Sequence, residues 1–313
     1  GADCIDVAAD PAVIRMAREA LAVAKKKTGV SPWLMVSIND GEDPHFRKAN
    51  FNPQNCPPSC SQPCITVCPA DAITLASVLA EGVLSDRCYG CGRCLNVCPS
   101  EQINAISHQV EIPQLTEIFA QQQVDAIEIH TQVGHEAQFQ SVWQQLQPII
   151  PKLRLLAISC PYHREAIAYL HQIQDWITPL PCQLLWQTDG RPMSGDIGAG
   201  TTNLTIKYAQ IALQSRLHGF IQVAGGTNGS TVDKLNALGL LQDSGISGIA
   251  YGSYGRTLFD TLQATLDQST HGSSKLEDHP QLLKQAVRLA HSLVSTLKPQ
   301  RRLSEEMVLE FSS

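Results

Sequence analysis

The chain has 313 residues, 43% of them hydrophobic, which is enough for a large packed domain with a smaller one attached and too much for a disordered chain. Its formal charge is −6, with 29 acidic against 23 basic residues, and this argues against binding nucleic acid by phosphate neutralisation. No apolar run approaches the roughly 18–20 residues of a membrane span, and the opening GADCIDVAAD lacks a signal-peptide pattern; a cytoplasmic protein without a transmembrane segment is expected.

In chain order, short β-rich runs alternate with helical stretches. The runs cover residues 3–8, 33–38, 126–131, 154–160, 182–188, 220–225 and 248–252. The helical stretches cover 11–27, 113–122, 136–146, 164–174, 202–216, 231–241 and 256–266, the first opened by Asp10 as cap and Pro11 in its first turn. This alternation implies parallel strands with right-handed crossovers. Seven such units, the first beginning almost at residue 1, predict a TIM-barrel-like α/β domain whose first unit lies upstream. An open doubly wound sheet is the alternative. The barrel is assigned to residues 1–38 and 113–266, an inserted ferredoxin-like domain to 39–112, and a C-terminal helix (280–297) with a charged tail to 267–313. Because the insertion follows the second strand, it falls at the carboxyl ends of the strands, the catalytic face of such barrels.

Eight of the eleven cysteines lie between residues 56 and 98, too uneven for a secreted disulfide framework. Cys88-Tyr-Gly-Cys91-Gly-Arg-Cys94-Leu-Asn-Val-Cys98-Pro99 is the bacterial ferredoxin run, in which three thiolates hold one cluster and the fourth crosses to another. Upstream, Cys56, Cys60, Cys64 and Cys68-Pro69 repeat the pattern with longer early gaps. Crossed ligation then predicts a [4Fe–4S] cluster on Cys68, Cys88, Cys91 and Cys94. A second cluster, [4Fe–4S] or [3Fe–4S], falls to Cys56, Cys60, Cys64 and Cys98, its wider spacing making it the more labile. Structural zinc also uses short cysteine spacings. A radical-SAM site fails on the second gap.

In the run 126–131 the isoleucines must face the helices, which turns Glu128 and His130 inward; the same parity turns Asp6, Ser37, Ser159 and Gln222 inward. This reads either as a ligand site or as a self-satisfied polar network. Glycine loops after the last two strands hold Gly225, Gly226 and Thr227, and Gly252 and Ser253, where barrels of this type bind phosphate; tight turns also select glycine. A third loop offers Asp189, Arg191 and Asp196 as ligand contacts. Cys160, at a strand's carboxyl end, is a candidate reactive thiol. No histidine metal motif and no nucleophile elbow is present.

GADCIDVAADPAVI, the cysteine segment with its unusual first half, and WQTDGRPMSGDIGAGTT together resemble the cyanobacterial light-dependent period A (LdpA) family over essentially the whole chain. The resemblance implies an iron–sulfur redox sensor feeding the circadian clock, reporting cellular redox state or that of the photosynthetic quinone pool to clock-associated proteins. The rival expectation is an iron–sulfur oxidoreductase holding a phosphate-bearing cofactor such as FMN in the barrel mouth.

Overall fold

The structure is a computed structural model that describes residues 1–41, 46–75, 81–107, 112, 115–116, 118–119, 124–190, 201–242, 245–270 and 275–298. Its strands are β1 (Cys4–Ala8), β2 (Trp33–Asn39), β3 (Arg47–Asn50), β4 (Asn104–Ser107), β5 (Ala126–His130), β6 (Leu155–Pro161), β7 (Gln183–Asp189), β8 (Phe220–Ala224) and β9 (Gly248–Ile249). Seven of them form one parallel sheet in the order β1-β2-β5-β6-β7-β8-β9.

That order never reverses, so right-handed crossovers put every connecting helix on the same face, unlike a doubly wound sheet, which has a switch point. Leu34, Val36, Ile127, Ile129, Leu156, Ile158, Trp186 and Val223 form the helix-side core with Ile14, Phe139, Tyr169 and Tyr208. The opposite face carries a small apolar group, Met35, Ala126 and Ala157, buried and, among the described residues, packed against strand residues only. A face buried in this way requires the sheet to curl on itself. Among the described residues β1 and β9 are not paired, so the sheet is a curled seven-stranded array and not a closed barrel.

The helix Pro11–Thr28 begins where Asp10 Oδ1 accepts from the Ala12 and Val13 amides at 3.0 and 3.2 Å, and it ends at Gly29 with φ 71°. Elements late in the chain depart from expectation. β9 covers two residues, because one further bond (Ala250 N–H to Val223 O, 2.9 Å) is its last and glycines flank the run. The helix expected over 231–241 is Thr231–Ala237, stopped at Gly239 (φ 65°). The stretch 256–266 is two helices, Ser253–Thr257 and Asp260–Thr270, divided by a tight turn from Phe259 N–H to Arg256 O. Of the helix expected over 113–122, residues 115–116 and 118–119 are described and helical, with Leu115 and Phe119 in the core. The helix Pro280–Ser295 packs beside both ends of the sheet. Its Val294 lies against Gly1, its Leu293 lies 3.6 Å from a Cβ built on Gly255, and Lys298 binds Gly1 O and pairs with Asp3.

The insertion is zipped at its base by antiparallel pairing of β3 with β4, from Arg47↔Ser107 to Asn50↔Asn104. It has its own core of Phe51, Cys64, Ile73, Val83, Cys94 and Ile103. A buried ion pair fastens it to the sheet domain: Lys48 Nζ lies 2.6 Å from Asp10 Oδ2, with side chains 4% and 0% exposed. Lys48 also donates to Ser85 O, and Arg15 donates to Asp86 O at 3.2 Å. Both links meet the start of the first helix, which leaves the carboxyl end of β1.

Candidate functional site

The inserted segment repeats itself. Gln62 (φ 57°) and Gly92 (φ 75°) stand as left-handed N-caps of two short helices, Pro63–Thr66 and Arg93–Val97, which bury Cys64 and Cys94. After each Cys-Pro pair comes an acidic residue at positive φ, Asp71 (49°) and Glu101 (51°), whose N–H bonds to the carbonyl of Cys68 or Cys98. The next amide, of Ala72 or Gln102, bonds to the sulfur of the same cysteine. Ile73 and Ile103 then enter the shared core. Such N–H···S bonds stabilise thiolate and tune a bound cluster's potential.

The repeat sorts the eight thiols into two groups. Cys68, Cys88, Cys91 and Cys94 line one pocket together with Ala49, Ala72, Ile73 and Tyr89. Cys56 hydrogen-bonds with Cys60 and lies within electrostatic reach of Cys98, and Cys64 lies within reach of both Cys98 and Cys56. Each group therefore takes three thiols from one half and one from the other. Burial, then the neighbouring Cys91, Cys88 and Cys68, push the Cys94 thiol up to about 12. Burial also acts on Cys98, but the Ser100 hydroxyl and the amides of Gln102, Ile103 and Ser100 outweigh it and lower that thiol. Among the described residues no three His, Cys, Asp or Glu side chains converge as ligands of a single ion.

On the uncovered face of the sheet, Glu128 is 1% exposed. It takes the Gln187 amide and the Ser37 hydroxyl (3.4 Å), lies 3.2 Å from His130 Nε2, and is bonded by Ser159. Ser37 Oγ is also 2.6 Å from Asp6 Oδ1, at the open rim. Burial, with Asp189 adding repulsion, pushes the Glu128 carboxyl up to about 7. The folded chain thus holds a proton on Glu128 that the unfolded chain releases above about pH 4.5, and this contribution to stability is lost as pH rises through about 7. Relative to wild type, Glu128→Gln is expected to remove roughly 3 kcal/mol of pH-dependent loss between mildly acidic and mildly alkaline solution. Denaturant melts of both proteins across that range check it.

The glycine loops are engaged with their own surroundings. Thr202 and Thr205 donate to the carbonyls of Gly226 and Gly225, Thr227 donates to Ala250 O at 2.6 Å, and Thr231 Oγ1 accepts from the Asn228 amide. The Asp189 carboxylate packs on Gly225, where an added Cβ would lie 1.5 Å from Oδ1 and where φ is 53°. Gly225→Ala is expected to cost at least about 2 kcal/mol of stability in a denaturant melt. Gly252 has no neighbour within 4 Å of a built Cβ, and Ser253 Oγ accepts from Arg256 at 3.4 Å. Arg191 and Asp196 lie outside the described residues.

Residues 56–109 match the LdpA iron–sulfur cluster-binding domain, and residues 118–296 match the light dependent period A C-terminal domain. Over 302 residues the chain is 50% identical to Light dependent period A of Synechococcus elongatus, covering 95% of this chain and 84% of that relative. The chain belongs to the light dependent period A family. Its cysteine segment is the LdpA iron–sulfur cluster-binding domain, and its sheet from β5 onward is the LdpA C-terminal domain.

Several polar groups of this LdpA chain escape sequence reading. Gln187 shares the inward parity of Ser159 and Gln222 through the pairs Ser159↔Gln187 and Gln187↔Gln222, so strand alternation was signal enough to find it. Asp40 instead gathers Thr131, which meets Tyr169 OH at 2.6 Å, and His135 at 2.8 Å; these partners lie up to 95 residues away and carry no local pattern. Cys160 is fully buried beside Tyr208, and burial pushes its thiol up to about 12, which makes it an unreactive packing residue at neutral pH. No helix among the described residues is long and apolar enough to cross a membrane.

Proposed function

We propose that this protein carries two iron–sulfur clusters in crossed ligation and acts in the cytoplasm as a redox-responsive element of light input to the circadian clock, passing cluster state to clock-associated proteins. The observation that carries the reading is the division of the thiols into Cys68, Cys88, Cys91 and Cys94 around one pocket, and Cys56, Cys60, Cys64 and Cys98 near one another. In a cubane each thiolate binds a different iron, so the sulfurs stand apart around a common centre. Structural zinc is disfavoured by the Cys-Pro endings and the three-residue gap before each, which belong to ferredoxin runs. The first group is read as a [4Fe–4S] site and the second as [4Fe–4S] or, after loss of one iron, [3Fe–4S]. The clock assignment rests on membership of a family whose Synechococcus elongatus relative is named for a light-dependent period.

The polar inner face of the barrel-type sheet favours a second reading, an oxidoreductase with a phosphate-bearing cofactor. The Asp189 carboxylate against Gly225 weighs against a phosphate there, as does the inward use of the loop hydroxyls. Anaerobic purification separates the two readings. Iron–sulfur absorbance without flavin, together with partner binding that changes on reduction, supports the sensor. A stoichiometric flavin supports the enzyme.

A further inference from the structure

Two carboxylates, Asp6 and Glu128, share the inner face of the sheet. Ser37 Oγ spans Asp6 (2.6 Å) and Glu128 (3.4 Å), but a hydroxyl has one proton and can donate to only one of them at a time. The Gln187 amide donates to Glu128 through Nε2, while its Oε1 is buried with no hydrogen-bond partner among the described residues, on a residue 5% exposed. Buried acceptors in native proteins are normally satisfied. Among the described residues, none of the seven strands carries a Lys or Arg, and His130 is the basic group beside Glu128. Glu128 and Gln187 are buried, yet Asp6 is exposed at the rim and the His130 side chain is 39% exposed, which leaves a way in from solvent. The described Asp6, Glu128 and His130 do not converge on one point as a metal ion requires.

We propose that this inner face binds a small organic cation with N–H donors, a primary ammonium or amidinium group held by Asp6, Glu128 and Gln187. One such head group supplies both what the carboxylates lack in charge and what Gln187 Oε1 lacks in a donor. The site is separate from the thiols, and the inference does not depend on the cluster reading.

Calorimetric titration of the full chain with methylamine, 1,4-diaminobutane, agmatine and spermidine tests it, at about pH 8.5 so that both carboxyls ionise. At least one of these is expected to bind one to one, with tetramethylammonium, a cation without N–H groups, at least about tenfold weaker. Asp6→Asn and Glu128→Gln should each weaken binding by about tenfold or more, while exposed Glu81→Gln leaves it unchanged. Far-ultraviolet circular dichroism reports folding, and Asp6→Asn, at the open rim, serves if the buried variant fails to fold. Failure of every amine to bind below about 1 mM would overturn the proposal, as would equal binding of tetramethylammonium or binding indifferent to both substitutions.

Discussion

Cys98→Ser is expected to strip iron from the site of Cys56, Cys60 and Cys64 while sparing that of Cys88, Cys91 and Cys94, its own neighbours in the chain. Cys68→Ser should do the reverse. The expectation follows from the swap of the fourth thiol between halves, Cys68 lining the pocket of the downstream trio and Cys98 acting electrostatically on Cys56 and Cys64. A serine oxygen is a poor substitute for thiolate at iron, so each variant should keep about half the iron and visible absorbance of the parent. Anaerobic iron analysis with EPR reads the outcome. If Cys98→Ser empties the downstream site instead, ligation is local and the assignment of clusters to thiols is wrong. The longer upstream gaps add an asymmetry: exposure of the parent to air should produce a [3Fe–4S] signal that Cys98→Ser no longer shows.

Lys48→Met should be the most destabilising single change outside the cysteines. Asp10 and Lys48 are both removed from solvent and lie 2.6 Å apart. Removing the cation leaves a buried carboxylate without its countercharge, at a cost of about 3–5 kcal/mol. The loss should exceed that of Arg18→Met, whose 3.4 Å pair with Asp125 is partly exposed. Adding Asp10→Asn to Lys48→Met should recover most of the loss, because asparagine still caps the first helix and no charge remains buried. Denaturant unfolding of the three variants measures this. A double variant no more stable than Lys48→Met would show that the ion pair is not what fastens the insertion.

What was legible in the sequence was what neighbouring residues encode. The ferredoxin spacing lies within one segment, so an iron–sulfur segment could be read from it, and the grouping of Cys68 with Cys88, Cys91 and Cys94 around one pocket agrees with the pairing that spacing implies. The strands are short apolar runs because the helix-side core demands it, and parity in residues 126–131 was enough to place Glu128 and His130 on the inner face, where Glu128 meets Ser37 across the β2–β5 pair. The sheet edge was less legible: β9 holds two residues because its pairing with β8 ends there and glycines flank the run. Contacts between distant residues were not legible at all. Asp10 reads as a helix cap, and nothing local in the sequence marks Lys48, 38 residues on, as its partner. The glycines at 225 and 226 do take positive φ, but the partner that selects Gly225 is the Asp189 side chain, which sequence could not reveal.

The upstream half of the cysteine repeat closes longer loops than the downstream half, yet it places Gln62 in the same left-handed cap as Gly92 and follows it with Pro63 at the first helical position. Pro57 and Pro58 fill the preceding gap. Each proline narrows the unfolded chain by an amount equivalent to about 0.4–1 kcal/mol where its native angles are unstrained, comparable to the roughly 0.6 kcal/mol for doubling a loop's length. The prolines therefore offset the wider spacing in the chain itself, so that the lability expected of the upstream site is a property of its cluster and not of the chain that receives it.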